Sequence, residues 1–362
     1  MKKNRILIVF ISILIFLTSC APIENQEAAR VEESEDTVID FAGRLVEIPE
    51  EIDSIAALYT VVGHVIIMLD EGDKITASSN GLKRDKLILN MEPHIEDIYL
   101  PKSGGVVNIE ELLNSEPDMI FVDMPIYWNK DELEKIEKIG VPYYVLEFNS
   151  MEEQKDLVRD VGKILNRKEE ADEYIDLYDE IIELTQKTVD NIPEDERIRV
   201  YHSINEAVRT SAEGTITNQW LEMSGLVNVA QEDDLRQDED KYLTSLEDIL
   251  KWNPEVILTN EPATYDYIKG QDNFQSLDAV INDKVHLLPT GISRWGHSTS
   301  IETPLAMLWV LKNIYPEYSE DVDLIGYTRR FYRELFDYEL TDEQINNILA
   351  GVDMRKAKDL EE

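Results

Sequence analysis

The chain has 362 residues, of which 43% are hydrophobic and 30% are charged, and its formal net charge at pH 7 is −40. This hydrophobic share predicts a fully folded globular body, and the length exceeds what one small domain needs. So negative a protein is not expected to bind nucleic acid or to adsorb to anionic lipid headgroups, although a local cleft can differ in charge from the average.

The amino terminus has the pattern of an export signal. Lys2, Lys3 and Arg5 precede an apolar run over residues 6–17, which is shorter than the roughly 20 residues of a membrane-spanning helix. The only cysteine of the sequence, Cys20, stands where a bacterial lipobox would place it, among small residues. The alternative is an ordinary signal peptide with a chance cysteine. We expect residues 1–19 to be removed and Cys20 to carry a lipid that anchors the protein to the membrane.

Residues 20–36 are acidic and polar and contain no aromatic side chain. A segment of this composition cannot bury a core, so it predicts a flexible tether between the lipid and the folded body.

From residue 37 to residue 166, short β-branched or aromatic runs alternate with helical patterns. The predicted strands are Asp53–Tyr59, Lys74–Ser79, Met119–Asp123 and Pro142–Phe148, and the predicted helices are Val61–Asp70, Ile109–Asn114 and Asp131–Ile139. Strict alternation predicts an α/β lobe with a parallel sheet that helices cover on both faces.

The next segment predicts one long helix. Apolar residues recur at helical spacing beyond Asn166, and the pattern ends only at Pro193. About 23 residues of helix would extend roughly 34 Å, the length of a domain. We expect residues 167–192 to join two lobes as a single rigid helix, which would restrict hinge motion.

A second α/β lobe with additional C-terminal helices is predicted over residues 193–362. Its predicted strands are Ile198–Ile204, Val256–Asn260 and Val285–Pro289, and its predicted helices are Asn218–Ser224, Leu246–Lys251 and Glu302–Ile314. The alternation again predicts a parallel sheet.

Two segments of the chain are copies of one another. Asn108–Phe121 and Ser245–Leu258 align without a gap, 137 positions apart, and each reads as a short amphipathic helix, a proline and a buried strand. The repeat predicts two similar lobes and places Glu110 and Glu247 at matching positions. Matched carboxylates suit docking onto a two-fold-symmetric basic partner. Either glutamate alone would be interpreted as a solvated residue in the first turn of a helix, near the helix dipole.

Further motifs stand in the second lobe. They are Arg209–Ser211 leading into Asn218–Glu222, then Gly225–Ala230, and Arg294–Ser298 before Glu302–Pro304. With the lipobox, the repeat and the long helix, the chain resembles the substrate-binding lipoproteins of metal-chelate importers, over essentially the whole mature chain. The resemblance implies two Rossmann-like lobes with a ligand cleft between them. It also implies a monomer that docks through Glu110 and Glu247 onto an ABC permease dimer with its ATPase.

Ligands of parallel α/β sheets bind at the carboxyl ends of the strands. On that basis the predicted ligand-binding residues are Tyr59, Arg84, Trp128, Arg209, Arg294, Trp295 and His297. Aromatic rings suit a macrocycle or a catecholate, and arginine offers bidentate bonds to anionic oxygens. Trp128 and Trp295 are expected to face each other across the cleft. The alternative interpretation of Arg84 is that it belongs to the solvated face of a basic loop.

A direct metal site is not predicted, because no His-x-His, His-Glu-x-x-His or Cys-x-x-Cys motif occurs. The pattern favours a metal already held by a chelator, with His297 as at most a single protein ligand and with no cofactor.

The leading interpretation is a lipoprotein on the outer face of the cytoplasmic membrane that delivers a ferric siderophore-type chelate to an importer. Cobalamin, haem, or a nickel or other metal chelate are alternative cargoes. A surface enzyme on the same architecture is disfavoured, because the sequence has no Gly-x-Ser-x-Gly motif, P-loop, dinucleotide fingerprint or zinc-protease motif.

Overall fold

A computed structural model of the protein describes residues 34–238 and 241–356. The predicted signal peptide, Cys20 and most of the predicted tether lie outside the described residues. Across the described part of the chain, no helix combines the length and the apolar character that crossing a membrane requires.

The first lobe is built from the elements that precede Asn166. In chain order they are β1 (Thr37–Ile39), β2 (Leu45–Glu47), β3 (Ile55–Ala57), α1 (Thr60–Met68), β4 (Ile75–Ser79), α2 (Asn80–Arg84), α3 (Lys86–Met91), β5 (Tyr99–Ser103), β6 (Val106–Val107), α4 (Ile109–Asn114), β7 (Met119–Asp123), α5 (Met124–Trp128), α6 (Lys130–Glu137), β8 (Tyr143–Leu146) and α7 (Met151–Ile164). Within the described residues, strands β3 to β8 form one sheet in the order β6-β5-β4-β3-β7-β8. Every residue of the central strand β3 is buried, as a strand covered on both faces requires.

A 22-residue helix, α8 (Lys168–Val189), separates the first lobe from the second. At 1.5 Å per residue it extends about 33 Å. Its buried face includes Tyr174, Tyr178 and Ile181, and it packs against α7 of the first lobe and against three helices of the second. The structure thus has a long helix inside the predicted range 167–192.

The second lobe is built from the remaining elements. They are β9 (Arg199–Ser203), β10 (Arg209–Thr210), α9 (Ile216–Met223), β11 (Val227–Asn228), β12 (Arg236–Asp238), β13 (Lys241–Leu243), α10 (Leu246–Trp252), β14 (Val256–Thr259), α11 (Pro262–Gly270), α12 (Asp278–Ile281), β15 (Val285–Leu287), α13 (Thr303–Ile314), α14 (Leu324–Phe336) and α15 (Asp342–Ala350). The main sheet has the order β11-β9-β14-β15, and all its strand pairs are parallel. The predicted α/β fold with parallel sheets is therefore confirmed.

The structure also contains antiparallel pairs that the sequence did not predict. Strands β1 and β2 form a hairpin, β6 pairs antiparallel with β5, and β10, β13 and β12 form a small antiparallel sheet. Most of these strands have only two or three residues, too few for a periodic pattern. Pro101 inside β5 further weakened the strand signal there.

The basic loop predicted around Arg84 is instead the end of β4, the short helix α2 and the start of α3, over residues 78–86. Within it, Gly81 permits close packing. A Cβ atom at Gly81 would lie 2.2 Å from Oγ1 of Thr60, so only glycine lets α2 approach the start of α1.

The two copies of the repeat occupy equivalent places. Helix α4 leads into β7, which pairs in parallel with β3, and α10 leads into β14, which pairs in parallel with β9. Over residues 108–115 and 245–252 the pattern of buried, intermediate and exposed side chains is identical at all positions. Each helix begins at a side-chain cap, Asn108 or Ser245. The repeat is therefore a structural one, and both copies present the same face to solvent.

Candidate functional site

At the strand ends of the first lobe, an aromatic ring, a cation and a carboxylate lie together. Tyr59 follows β3, Lys102 lies on β5 and Asp123 ends β7. Nζ of Lys102 is 2.6 Å from Oδ2 of Asp123 and 5.3 Å from the centre of the Tyr59 ring. Burial lowers the pKa of Lys102, and the charge of Asp123 opposes that change. The cation of this group is thus already paired within its own lobe.

At the strand ends of the second lobe, two asparagines connect β9 and β14. Asn205 follows β9 with a left-handed backbone (φ 64°), which asparagine tolerates better than most residues. Its backbone N–H donates to Oδ1 of the fully buried Asn260 (3.0 Å), the residue after β14. These amides fix the turns from which Arg209 and Glu261 extend.

The loop over residues 289–302 carries Arg294 and His297 and is held by the buried carboxylate of Glu302. That carboxylate accepts hydrogen bonds from the backbone N–H and the hydroxyl of Ser293, each at 2.8 Å, and from the Tyr332 hydroxyl at 2.5 Å. Burial raises the pKa of Glu302, and these donors oppose the increase. A Cβ atom at Gly291 would lie 2.0 Å from Glu302 Oε1, so this glycine lets the loop close over the carboxylate.

Two residues of the helical layer hold the far end of the same loop. Nε2 of Gln154, on α7, donates to the carbonyl oxygen of Ser300 (2.9 Å), and the Tyr174 hydroxyl, on α8, donates to that of Ile301 (2.9 Å). Gln154 and Tyr174 are both fully buried. The loop is therefore fixed from both lobes, and the side chains it carries are preorganised.

Arg294 is the best-placed cation of this loop. Its side chain is 19% exposed, and Nη1 lies 2.8 Å from Oε2 of Glu261. Burial lowers the pKa of Arg294, the charges of Arg355 and Arg84 lower it further, and Glu261 opposes both. Arg84 belongs to the first lobe, and its Nε donates to the carbonyl oxygen of Lys356 (3.1 Å), which the chain reaches after the second lobe.

His297 lies among these cations as a neutral imidazole. Its Nδ1 accepts the backbone N–H of Thr299 (3.3 Å), and its Nε2 is 3.4 Å from Nδ2 of Asn205. Burial lowers the pKa of His297 well below its usual range, and the charges of Arg294, Arg209 and Arg355 lower it further. The ring is uncharged at neutral pH, first because burial disfavours the charged form and then because these arginines would repel it.

Among the described residues, the charges of Arg84 and Arg355 act on Arg294, and those of Arg209, Arg294 and Arg355 act on His297. Glu261 and Asp85 are carboxylate partners of two of them, Arg294 and Arg355. The chain has a net charge of −40, so this local concentration of guanidinium groups is opposite in sign to the average charge of the surface. Guanidinium groups bind oxyanions and carboxylates through bidentate, charge-assisted hydrogen bonds.

The predicted ligand-binding residues have different surroundings in the structure. The charge of Arg84 acts on Arg294, the charges of Arg209 and Arg294 act on His297, and Tyr59 lies with Lys102 at the first-lobe strand ends. Trp128 is 69% exposed at the end of α5. Trp295 has no exposed surface and is part of the main hydrophobic core. This corrects the expectation that Trp295 faces Trp128 across a cleft, because the indole of Trp295 packs inside the core.

Two other histidines, His64 and His202, have partners within their own lobes. Nε2 of His64 is 2.8 Å from Oδ2 of the buried Asp85, and His202 is fully buried against Trp220, with ring centres 5.5 Å apart. Burial lowers the pKa of His202 to about 3. Among the described residues, no three His, Cys, Asp or Glu side chains are grouped in a way that could hold a metal ion.

Sequence reasoning missed Lys102 and Arg355. The Leu-Pro-Lys-Ser-Gly-Gly run around Lys102 carried a weak signal, a cation just before a glycine turn. Arg355 carried none, because it follows the last helix and its place depends on how the chain returns to the first lobe.

The sequence profile of the periplasmic binding protein family matches residues 55–290, more than half of the chain. The chain belongs to the periplasmic binding protein family. The match begins at the first residue of β3 and ends after β15, so it spans both main sheets.

Individual members of this family share the fold of this chain. The molybdate-binding protein MolA of Haemophilus influenzae is 24% identical over 325 residues, which cover 83% of this chain and 90% of MolA. The structure of MolA bound to molybdate has a TM-score of 0.74 at 23% identity and covers 84% of this chain and 99% of that one. Helicobacter pylori CeuE with Ni(II) bound has a TM-score of 0.71 at 19% identity and covers 86% and 99% of the two chains.

Proposed function

We propose that this periplasmic binding protein is the extracytoplasmic substrate-binding component of an ABC importer and that its cargo is an oxyanion of the molybdate class. The observation that carries the proposal is a neutral His297 that Asn205 contacts and on which the charges of Arg209, Arg294 and Arg355 act, in an otherwise strongly acidic protein. The similarity to MolA, a molybdate-binding protein, supports the same choice of cargo.

The chemistry of the site suits an oxyanion. Guanidinium groups supply charge and paired N–H donors, while the amides of Asn205 and Asn260 supply neutral donors beside them. Partial burial of Arg294 strengthens each bond, because water competes less for the anion. The acidic remainder of the surface would repel anions, so binding is expected to depend on this one region.

Calorimetric titration of the purified protein with molybdate, tungstate and sulfate tests the proposal. We expect molybdate or tungstate to bind with a dissociation constant in the micromolar range or tighter, and affinity to fall as salt rises. Failure of every oxyanion to bind more tightly than millimolar would contradict it.

A ferric siderophore-type chelate is the second candidate cargo. Tyr59 with Lys102 and the exposed ring of Trp128 are the observations that favour it, because aromatic rings and cations suit an anionic catecholate. A neutral His297 could then supply one metal ligand. The same titration with ferric catecholate, cobalamin, haem and nickel–histidine complexes distinguishes these cargoes, since a coloured chelate near Trp128 should also quench tryptophan fluorescence.

The repeat supports a docking surface for the permease dimer. Glu110 and Glu247 are exposed in the first turns of α4 and α10, one on each lobe. Leu113 and Leu250, three positions later on the same helix faces, are 49% and 36% exposed. Each lobe therefore offers a carboxylate beside an apolar side chain, which suits a two-fold partner with a cation next to an apolar pocket.

Cellular uptake of labelled molybdate tests the docking surface. The double substitution of Glu110→Ala and Glu247→Ala should reduce uptake while leaving the affinity of the purified protein for molybdate nearly unchanged. Glu134→Ala with Glu213→Ala, also exposed glutamates on the two lobes, is the matched control. Loss of molybdate affinity in the first variant would assign these glutamates to cargo binding instead.

We further propose that Cys20 carries the lipid anchor and that the protein acts at the outer face of the cytoplasmic membrane. The lipobox pattern in the sequence supports this. Cys20→Ala should leave the folded body intact and move it from the membrane fraction to the soluble fraction. Retention of the variant in the membrane fraction would contradict the anchor.

A further inference from the structure

The end of the described chain returns from the second lobe to the first. Residues 353–356, which we name the C-terminal clasp, pair antiparallel with residues 84–86 of the first lobe. The backbone N–H of Lys86 donates to the carbonyl of Met354 (3.0 Å), and that of Lys356 donates to the carbonyl of Arg84 (2.8 Å). Asp85 and Arg355 stand opposite each other in this pair. The lobes are therefore connected here as well as through α8.

A buried carboxylate holds the side chain of the clasp. Asp85 has no exposed surface, its Oδ1 lies 2.8 Å from Nε of Arg355, and its Oδ2 lies 2.8 Å from Nε2 of His64. His64 itself is buried on α1. Asp85 thus contacts Arg355 on one side and the core of the first lobe on the other, which fixes where the guanidinium group lies.

The guanidinium group of Arg355 also acts on the candidate site. Its charge lowers the pKa of both Arg294 and His297, and its side chain keeps 20% of its surface exposed. Geometry supports the same placement. The backbone of Thr290, which pairs with Arg294 in the loop, donates to the carbonyl oxygen of Ile348 at the end of α15 (3.0 Å), and the clasp follows α15 directly.

We infer that the C-terminal clasp supplies Arg355 as a binding residue for the anionic cargo, with Asp85 as the residue that positions it. This inference rests on the proposed function. It adds a binding residue that comes from the last described part of the chain and lies outside the residues that match the family profile. Cargo held jointly by Arg355 and Arg294 would keep the clasp closed against the first lobe.

Molybdate titration of four variants separates a binding role from a strap that only stabilises the fold. Arg355→Gln should weaken molybdate binding about tenfold or more, the loss of one charge-assisted bond. Asp85→Asn keeps the cation but loosens its position, so a smaller loss of about threefold is expected. Lys356→Gln is the matched control, because Lys356 is in the same clasp but pairs with the exposed Glu96 (2.8 Å). We expect its affinity to stay within about twofold of wild type.

The fourth variant distinguishes a loss of molybdate binding from a loss of the fold. Arg355→Gln alone leaves the Asp85 charge buried with one partner fewer, which is destabilising. The double variant Asp85→Asn with Arg355→Gln removes that charge, so it should recover thermal stability while still binding molybdate as weakly as Arg355→Gln. Wild-type affinity in the folded double variant, or an equal loss in Lys356→Gln, would overturn the inference.

A second readout does not depend on cargo. Histidine NMR titration should show a higher pKa for His297 in the double variant than in wild type, and no such rise in Lys356→Gln. An unchanged His297 pKa in the double variant would place Arg355 away from the site and overturn the inference. If wild type binds no oxyanion, the proposed function fails first, and that outcome is distinct from binding that survives removal of Arg355.

Discussion

The two lobes share a topology but differ in how their strand ends are charged. In the first lobe, Lys102 is paired with Asp123 at 2.6 Å and lies beside Tyr59. In the second lobe, Arg209, Arg294 and His297 stand together, and Glu261 is the carboxylate bonded to Arg294. The same edge of a parallel sheet therefore carries one cation and one carboxylate in the first lobe, and two arginines, one carboxylate and a neutral imidazole in the second.

This difference shows that a structural repeat can keep its outer surface and diverge at its ligand edge. The helices α4 and α10 expose matching side chains, Glu110 with Leu113 and Glu247 with Leu250. A two-fold partner would constrain both copies alike, whereas an asymmetric cargo constrains each lobe separately. We expect the second lobe, with Arg84 of the first lobe and Arg355 of the C-terminal clasp, to determine the affinity for anions.

The largest expected effect is on the loop that gives the second lobe its cations. Glu302→Ala removes the acceptor of three hydrogen bonds from Ser293 and Tyr332 and leaves a cavity, so the free energy of unfolding should fall by about 4 kcal/mol. Urea denaturation measures this fall. Glu213→Ala, an exposed glutamate of the same lobe, is the control and should change stability by less than about 0.5 kcal/mol. Equal stability of the two variants would mean that the loop does not depend on Glu302.

Arg294→Ala should weaken oxyanion binding by about 1.5 to 3 kcal/mol, the usual contribution of a hydrogen bond to a charged group. Calorimetry at fixed ionic strength measures the change. Arg333→Ala, which removes an exposed arginine of α14, is the control for net charge. If both variants bind alike, the second-lobe cluster is not the site.

Acid should destabilise the second lobe. His202 has a pKa near 3 in the folded protein and about 6.5 when unfolded, so between these values only the unfolded state binds the proton. Stability is therefore lost as pH falls below about 6.5, by about 2 kcal/mol at pH 5 from this residue. Urea denaturation at pH 7.5 and pH 5 should show a smaller pH dependence in His202→Phe than in wild type. The same dependence in both would contradict the burial argument.

The smallest effect is expected in the first lobe. Lys102→Met combined with Asp123→Asn removes a paired cation and its carboxylate, so oxyanion affinity should change by less than about 1 kcal/mol. The same calorimetric titration measures it against Arg294→Ala. A loss as large as that of Arg294→Ala would show that both lobes share the anion, and a loss confined to ferric catecholate would favour the chelate cargo.

Much of the fold could be predicted because its signals are local and periodic. The strands β7, β8 and β14 are mainly apolar runs, and α8 repeats Tyr174, Tyr178 and Ile181 at helical spacing before Pro193. The repeat predicted directly that the two lobes are equivalent. The hairpins and α2 could not be predicted, since so few residues carry no period and their form depends on contacts such as that of Gly81 with Thr60.

The candidate site could be predicted in part, for a related physical reason. Arg209, Arg294 and His297 could be predicted because they follow strands, and topology determines which residues lie at the carboxyl edge of a sheet. Topology does not set the direction of a side chain, and the predicted direction of Trp295, toward the cleft, was wrong. The contribution of Arg355 depends on a pairing between residues 84–86 and 353–356, which lie far apart in sequence.

Anomalous diffraction from crystals grown with molybdate or tungstate tests the central claim most directly, because the metal of the anion is located without assumptions about its neighbours. We expect one strong peak where the lobes meet, with the oxygens of the anion within hydrogen-bonding distance of the guanidinium groups of Arg294 and Arg209 and close to His297. A strong peak at another place on the protein, or a protein that binds the anion with Arg294 out of contact, would contradict the account.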